Sequence, residues 1–184
     1  MGESILKDWD NFYVIMGSAA AGLTGLTFVV IALSAEANRA NPRGVRVYVT
    51  PTIVHFGVVL GLAAYLSMPR HTELSLSWGF GVVGAAGLIY ALGVGTGIRG
   101  VAKDYVPVLE DWLWNLILPA AAYGTLLAAA LLFRHYATGC MYAVAAVTVG
   151  LTFIGIHNSW DIAVWHASRR PNEPRERGDR KTER

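Results

Sequence analysis

Residues 12–35 read FYVIMGSAAAGLTGLTFVVIALSA and contain no Asp, Glu, Lys or Arg. A helix needs roughly 20 apolar residues to cross the hydrocarbon core of a membrane, and this stretch is long enough. It belongs to an uncharged run that begins at Asn11 and ends at Ala35. The run therefore predicts a membrane-spanning helix.

Four further uncharged runs follow, over residues 47–69, 74–98, 112–133 and 135–160. The chain has 184 residues, of which 54% are hydrophobic and only 15% charged, so these runs hold most of it. We predict an all-α integral membrane bundle over residues 1–166. Its five transmembrane helices are expected at about 12–35, 48–68, 76–98, 112–133 and 138–163.

The basic residues predict the orientation of this bundle. Lys7, Arg70 and Arg134 fall on the side of the N-terminus, and the other twelve of the 15 basic residues fall on the opposite side. The positive-inside rule then places the N-terminus outside and the C-terminus in the cytoplasm. Residues 167–184 interleave seven basic with four acidic residues and are expected to form a disordered tail. Because the acids offset much of the positive charge, no nucleic-acid partner is predicted.

Small residues mark the predicted helix-packing faces. Apolar side chains gain little from leaving lipid, so helices in membranes associate where small residues let their backbones approach. We expect these faces to meet another helix, either within the chain, at a subunit interface or along a pore. The predicted partners are the lipid bilayer and a second copy of the chain or another membrane protein. The packing residues are Gly17, Ala21, Gly22 and Gly25 in the first span and Gly81, Gly84, Gly87, Gly93 and Gly97 in the third.

The stretch GSAAAGLTGLTFVVIAL, residues 17–33, resembles the first helix of uncharacterised small bacterial multi-pass integral membrane proteins that open on a glycine- and alanine-rich span. The likeness is confined to this helix. It implies a location in the bacterial inner (plasma) membrane, and it implies no particular activity.

The last uncharged run ends in polar residues, within GIHNSWDIAVWH at 155–166. Asp161 is the one acidic residue inside the five predicted spans, and ionisable groups at membrane depth tend to be functional. On a helix, His157, Asn158 and Asp161 share one face, with His157 and Asp161 one turn apart. We predict a polar cluster in the cytoplasmic third, formed by His55, Asn115, His157, Asn158 and Asp161.

Three interpretations of this cluster stay open. His157 could staple helix ends by bonding Asp161 or a carbonyl group. His55, His157 and Asp161 could instead line a water-filled vestibule that carries protons or cations, because histidine titrates near neutral pH. The same residues could also bind a transition metal, or the two histidines a haem. A second candidate metal cluster lies in the outer loops, at Asp8, Asp10, His71, Glu73 and His135.

No catalytic signature accompanies these residues. The chain has no HExxH or GxSxG motif, and Cys140 is its single cysteine. Residues 95–100 match GxGxxG but stand where a helix ends, so they predict no nucleotide site. We therefore predict a non-enzymatic protein without a cofactor. Its expected role is a self-associating, channel-like subunit or, alternatively, a non-conducting regulatory or scaffold subunit that binds another membrane protein through its glycine faces.

Overall fold

The computed structural model describes residues 6–37, 50–101 and 108–168, without the side chains of 33–37, 100–101, 162 and 165–168. The predicted tail, residues 167–184, lies outside the described part except for the backbone of its first two residues. Within the described ranges every regular element is helical. The helices are α1 (Asp10–Ala37), α2 (Thr50–Leu66), α3 (Glu73–Val101), α4 (Leu109–Trp112) and α5 (Leu118–Ser168), with a π-helical turn (Leu113–Ile117) between α4 and α5.

Local sequence explains where α2 and α3 begin and end. Pro51 occupies the first turn of α2, where proline's missing N–H leaves no intrahelical bond unmade. Pro69 and Arg70 follow the end of α2, and α3 begins with a reciprocal cap. In that cap the Ser75 N–H donates to Thr72 Oγ1 at 3.1 Å and the Thr72 N–H donates to Ser75 Oγ at 3.0 Å.

Pro119 explains the π-helical turn that precedes α5. A proline inside a helix cannot donate to the carbonyl four residues earlier, which here is that of Asn115. The chain widens before it, and the Leu118 N–H donates to the Leu113 carbonyl, five residues back. The helix thus accommodates Pro119 by a wider turn. That turn leaves the Asn115 side chain buried in the bundle.

The number of candidate spans differs from the five predicted. In the described residues, three helices are long and apolar enough to cross a membrane, over Asp10–Ala32, Glu73–Arg99 and Leu109–Asp161. The predicted span 48–68 corresponds to α2, which is a shorter apolar helix of 17 residues because Pro69 and Arg70 stop it. The predicted spans 112–133 and 138–163 fall within one helical stretch, Leu109–Asp161, which is kinked at Tyr136 because the torsion angles of that residue are not helical.

Tyr136 is nevertheless the point at which α5 folds back on itself. Its φ of −135° and ψ of 45° are not helical. Asn115 and Asn158 are 43 positions apart and their side chains are within 3.5 Å, whereas a straight helix would separate them by about 64 Å. The first limb (118–135) and the second limb (137–168) are therefore antiparallel.

A cross-linking experiment tests this reversal. In a Cys140→Ala background, we expect the Asn115→Cys/Asn158→Cys pair to be joined by a short bis-methanethiosulfonate reagent, as detected by peptide mass spectrometry. The Leu131→Cys/Asn158→Cys pair is the control, because residue 131 lies about 24 Å along the helix from residue 115. Cross-linking of the control pair alone, or of neither pair, would contradict the reversal.

The buried core lies where these helices pack together. α1 packs chiefly against α2, α3 packs chiefly against α5, and α2 joins the two pairs by packing against α5. Large, fully buried side chains come from each of the long helices and from both limbs of α5; they include Tyr13, Phe56, Phe80, Tyr123, Phe133 and Met141.

The outward surface of the bundle is apolar. Ile15, Ile89, Leu131 and Phe153 are each more than 60% exposed, and they come from α1, α3 and both limbs of α5. A soluble monomer rarely exposes contiguous apolar surface of this kind. The surface therefore suits contact with lipid on several sides of the bundle.

The predicted packing glycines divide into buried and open positions. A Cβ on Gly17 would meet Ala63 at 2.9 Å, and Gly84 and Gly87 press against the first limb of α5. A Cβ on Gly81 would make ordinary contact with Ala130 at 3.5 Å. The remaining positions do not pack inside the chain in the same way: Ala21 is exposed, Gly97 is half-buried, and a Cβ on Gly22, Gly25 or Gly93 would meet nothing within 4 Å.

Candidate functional site

The α5 reversal brings His157, near the end of the second limb, against α4 and the π-helical turn that follows it. The imidazole stacks on the indole of Trp114, with ring centroids 3.8 Å apart and an interplanar angle of 18°. His157 Nε2 lies 3.2 Å from Asp161 Oδ2, one turn along the same helix, and 3.6 Å from Glu110 Oε1. The ring thus lies within reach of two carboxylates from two different helices.

An asparagine pair lies beside this histidine. Asn158 Nδ2 donates to Asn115 Oδ1 at 3.5 Å, and Asn115 Nδ2 donates to the Asp111 carbonyl at 3.0 Å. Both asparagines are buried, so their amides need partners inside the protein. We call the whole group the polar clasp: Glu110, Trp114, Asn115, His157, Asn158 and Asp161.

The polar clasp joins two helix ends, but without the hydrogen bond from His157 to Asp161 or to a carbonyl group that the stapling interpretation expected. The Glu110 and Asp161 side chains are 65% and 56% exposed, so water screens their attraction to the ring. Nε2 is within ion-pair distance of both carboxylates, but neither contact has hydrogen-bond geometry. Packing of the two rings and the buried amide pair therefore hold the two ends of the hairpin together.

His55 belongs to a different contact. Its Nδ1 forms a hydrogen bond with Tyr123 Oη at 2.9 Å, and both side chains are buried. Its Nε2 is buried and has no hydrogen-bond partner. When Tyr123 donates to Nδ1, Nε2 carries the ring proton, so an N–H group is left without an acceptor. A buried polar group in that state costs about 1–3 kcal/mol.

Gly87 explains how the Tyr123 ring reaches His55. A Cβ on Gly87 would lie within van der Waals overlap of the Tyr123 ring, so only glycine leaves room for the ring between α3 and α2. A Cβ on Gly155 would likewise overlap the ring of Phe56, next to His55 in α2. Two glycines on neighbouring helices therefore set the positions of the aromatic rings around His55.

The structure divides the predicted cluster into two groups. Asn115, His157, Asn158 and Asp161 meet in the polar clasp, whereas His55 pairs with Tyr123. Among the described residues, no three His, Cys, Asp or Glu side chains are arranged to hold a metal ion, at the clasp or in the outer loops. His55 and His157 therefore belong to two separate contacts, one with Tyr123 and one with Trp114.

Sequence reasoning missed three residues of these contacts. Glu110 and Trp114 were not predicted to face His157, and Tyr123 was not predicted to bond His55. Glu110 and Trp114 are four positions apart and so share one helical face, which was the available signal. Tyr123 gave no signal, because its partner lies 68 positions away.

The fold and these contacts define a class of protein: an all-helical chain, over the described residues, with three helices long and apolar enough to cross a membrane. No family model, no curated protein and no solved structure matches the chain.

Proposed function

We propose that the protein is a self-associating membrane subunit whose chain crosses the bilayer five times. The reversal at Tyr136 supports five crossings, because it turns the element Leu109–Asp161 into two antiparallel limbs. At 1.5 Å per residue, α1 and α3 are each about 42 Å long. The 17 residues of α2 extend about 25 Å, a few ångströms short of a typical hydrocarbon core, and such a mismatch costs little.

The proposed location is the bacterial inner membrane, with the N-terminus outside and the C-terminus in the cytoplasm. The distribution of basic residues supports this orientation. Because five crossings alternate in direction, the start of α1 and the loop between α2 and α3 then lie outside. The polar clasp lies at the cytoplasmic end.

An open GxxxG pair on α2 carries the proposal of self-association. A Cβ on Gly57 or Gly61 would meet no heavy atom within 4 Å, so both glycines face out of the bundle. In a membrane, such a pair lets a second helix approach closely enough for backbone contact. All copies insert in the same direction, so α2 of one copy runs parallel to α2 of the next. A parallel, two-fold crossing is the arrangement that GxxxG helices adopt.

The polar clasp supports the same role indirectly. It joins α4 and the π-helical turn to the end of the second limb. The two antiparallel limbs of α5 are therefore connected at both ends, by the chain at Tyr136 and by the polar clasp at the opposite end. A subunit that works by presenting a rigid face to a second copy benefits from such fixed helix positions.

Enlarging the open glycines should break the proposed contact. We expect the Gly57→Leu/Gly61→Leu variant to run as a monomer in detergent, while the unaltered chain runs as a dimer or a larger oligomer. Light scattering after size-exclusion chromatography measures the mass. Ala86→Leu is the matched control, since Ala86 is also exposed but lies on α3, and it should leave the mass unchanged.

The outcomes separate self-association from the scaffold alternative. The scaffold role would be favoured by two results together: the unaltered chain is monomeric when pure, and a cross-linker at position 57 joins it to a different protein in membranes. A monomer with no cross-linked partner would contradict both roles.

A second candidate function is conduction of protons or cations, and the unpartnered Nε2 of His55 favours it. A buried polar atom of this kind is costly at membrane depth and tends to persist where it is used. His55 and Gly57 differ by two residues, or about 200° around the helix. The two proposals thus use opposite faces of α2, and conduction would run through the interior of one chain. Conduction requires that the protein let protons or cations cross the membrane of liposomes, and that this flux be lost when His55 is replaced.

A further inference from the structure

A cavity of about 360 Å³ opens at the end of the bundle opposite the polar clasp. The turn before α1, the first residue of α1 and the loop between α2 and α3 form its wall. Its volume is near the lower limit for small-molecule sites, so it suits a small group. We call it the outer cavity; its lining includes Lys7, Asp10, Leu66, Met68, Arg70 and His71.

Hydrogen bonds hold one wall of the outer cavity rigidly. His71 is buried, and its Nε2 donates to the Tyr65 carbonyl at 2.7 Å. The Tyr65 hydroxyl donates to the Ser75 carbonyl at 2.6 Å, and its ring packs edge-on against the imidazole. A Cβ on Gly79 would overlap the Tyr65 ring, so α3 comes close behind it. The loop is therefore fixed to both α2 and α3.

Ser75 also holds the His71 ring in place. Ser75 Oγ donates its single proton to the Thr72 carbonyl at 2.9 Å, and it also lies 3.1 Å from His71 Nδ1. Together with the bond from Nε2 to the Tyr65 carbonyl, this contact fixes the orientation of the His71 ring in the cavity wall.

Arg70 adopts a backbone conformation that favours glycine. Its φ is 65°, and it is the one non-glycine residue with positive φ among the described residues. This conformation costs an ordinary residue about 1–2 kcal/mol. Glycine would avoid the cost, so the side chain at this position has a reason to be present. The structure places that side chain in the lining of the outer cavity.

The charges of the cavity match a ligand with two opposite charges. Arg70 and Lys7 supply two cations, which bind phosphate oxygens through charge-assisted hydrogen bonds. Asp10 supplies one carboxylate in the same lining, which suits an ammonium group. Leu66 and Met68 add an apolar wall. We propose that the outer cavity binds a phosphate group that carries an ammonium, as in a phosphoethanolamine headgroup.

This proposal is independent of self-association, because α2 presents Gly57 and Gly61 along its length and the outer cavity lies at its end. A lipid headgroup and a soluble phosphoethanolamine share the proposed chemistry. The outer ends of α1, α2 and α3 would lie at the level of lipid headgroups if the chain crosses the bilayer as proposed.

Isothermal titration calorimetry tests the proposal, with the purified full chain in a detergent that carries no phosphate group. The probes are dihexanoylphosphatidylethanolamine, phosphoethanolamine and inorganic phosphate. Arg70→Gly is the main variant, because glycine accepts the positive φ and the loop should fold at least as well. We expect it to bind the lipid about tenfold more weakly, from the loss of one charge-assisted contact. Arg134→Gln is the control, since it removes an exposed positive charge elsewhere and should bind normally.

Asp10→Asn tests the ammonium half of the ligand. We expect this variant to lose affinity for the lipid and for phosphoethanolamine while its affinity for inorganic phosphate stays the same or rises. Binding of the lipid but not phosphoethanolamine would identify the source as a membrane headgroup, and equal binding of both would identify a soluble ligand. Binding that ignores Asp10→Asn, equal binding by Arg70→Gly and the unaltered chain, or no binding of any probe would overturn the proposal.

Discussion

Replacing Gly84 by leucine is expected to destabilise the protein by about 3 kcal/mol or to prevent folding, because overpacking at a rigid contact costs this much. A Cβ at this position would lie 2.7 Å from the Leu127 amide nitrogen and 3.0 Å from the Tyr123 carbonyl oxygen. Both atoms belong to the backbone of the first limb of α5 and cannot rotate away. The larger side chain must therefore push α3 off α5, and the contact between these two helices is the most extensive one among the described residues.

Gly93→Leu is the matched control, on the same helix. A Cβ on Gly93 would meet nothing within 4 Å, so its side chain can extend outward without displacing a neighbour. We expect this variant to unfold within about 0.5 kcal/mol of the unaltered chain, as surface changes usually do. Titration with sodium dodecyl sulfate, followed by circular dichroism, measures both variants. Equal losses in the two variants would show that glycine content, rather than the close contact at Gly84, determines stability.

The positions of the first three helices were predictable because each helix covers nearly the same residues as an uncharged run of the sequence. The run Asn11–Ala35 became the helix Asp10–Ala37, and the run 74–98 lies inside Glu73–Val101. The end of α2 was predictable from Pro69 and Arg70. The predicted spans 112–133 and 138–163 leave a gap at residues 134–137, and the non-helical torsion angles of Tyr136 fall in that gap. The sequence did not show that the two limbs would remain parts of one element, because that depends on two torsion angles at Tyr136.

The inward and outward glycines could not be separated from sequence. Gly17 and Gly22 are five residues apart, or about 140° around the helix. A helix face this wide can have one edge inside the bundle and the other edge on its surface. Gly17 packs on Ala63, and Gly22 is open. The open pair Gly57 and Gly61 was missed altogether, although its GxxxG spacing was present in the sequence.

The candidate site was predictable from helical spacing within the last helix, and Asn115 was placed in the cluster from its expected depth. His157 and Asp161 are one turn apart, and that spacing alone places them together. Glu110 and Trp114 come to the same place through the α5 reversal, which depends on the packing of the whole hairpin. His55 was expected near His157 from depth alone. Its contact is Tyr123 instead, because the direction in which α2 faces is fixed by packing and not by its own sequence.

Tyr123→Phe is expected to destabilise the protein by about 1–2 kcal/mol, because it leaves both nitrogens of His55 buried without a partner. His55→Leu should cost a similar amount, since it strands the Tyr123 hydroxyl. The double variant His55→Leu/Tyr123→Phe removes every polar atom of the contact, so its stability should return to within about 0.5 kcal/mol of the unaltered chain. Unfolding in sodium dodecyl sulfate gives the free energy of unfolding of the unaltered chain, the two single variants and the double variant. Additive losses would mean that the two side chains do not depend on each other.

The same double variant separates packing from conduction. In this variant the side chains at positions 55 and 123 are apolar, and the fold is expected to be intact. Any change in transport is then due to the lost polar groups rather than to unfolding. If the interior of the chain conducts protons through His55, proteoliposomes that contain a pH-sensitive dye should lose the flux seen with the unaltered chain. Asp161→Asn is a separate variant: it removes a charge from the half-exposed edge of the polar clasp, far along the chain from His55, so its effect reports on the clasp and not on the His55–Tyr123 contact. Undiminished flux in the double variant would exclude a path through His55, and the buried Nε2 would then be a tolerated cost of positioning Tyr123 between α3 and α2.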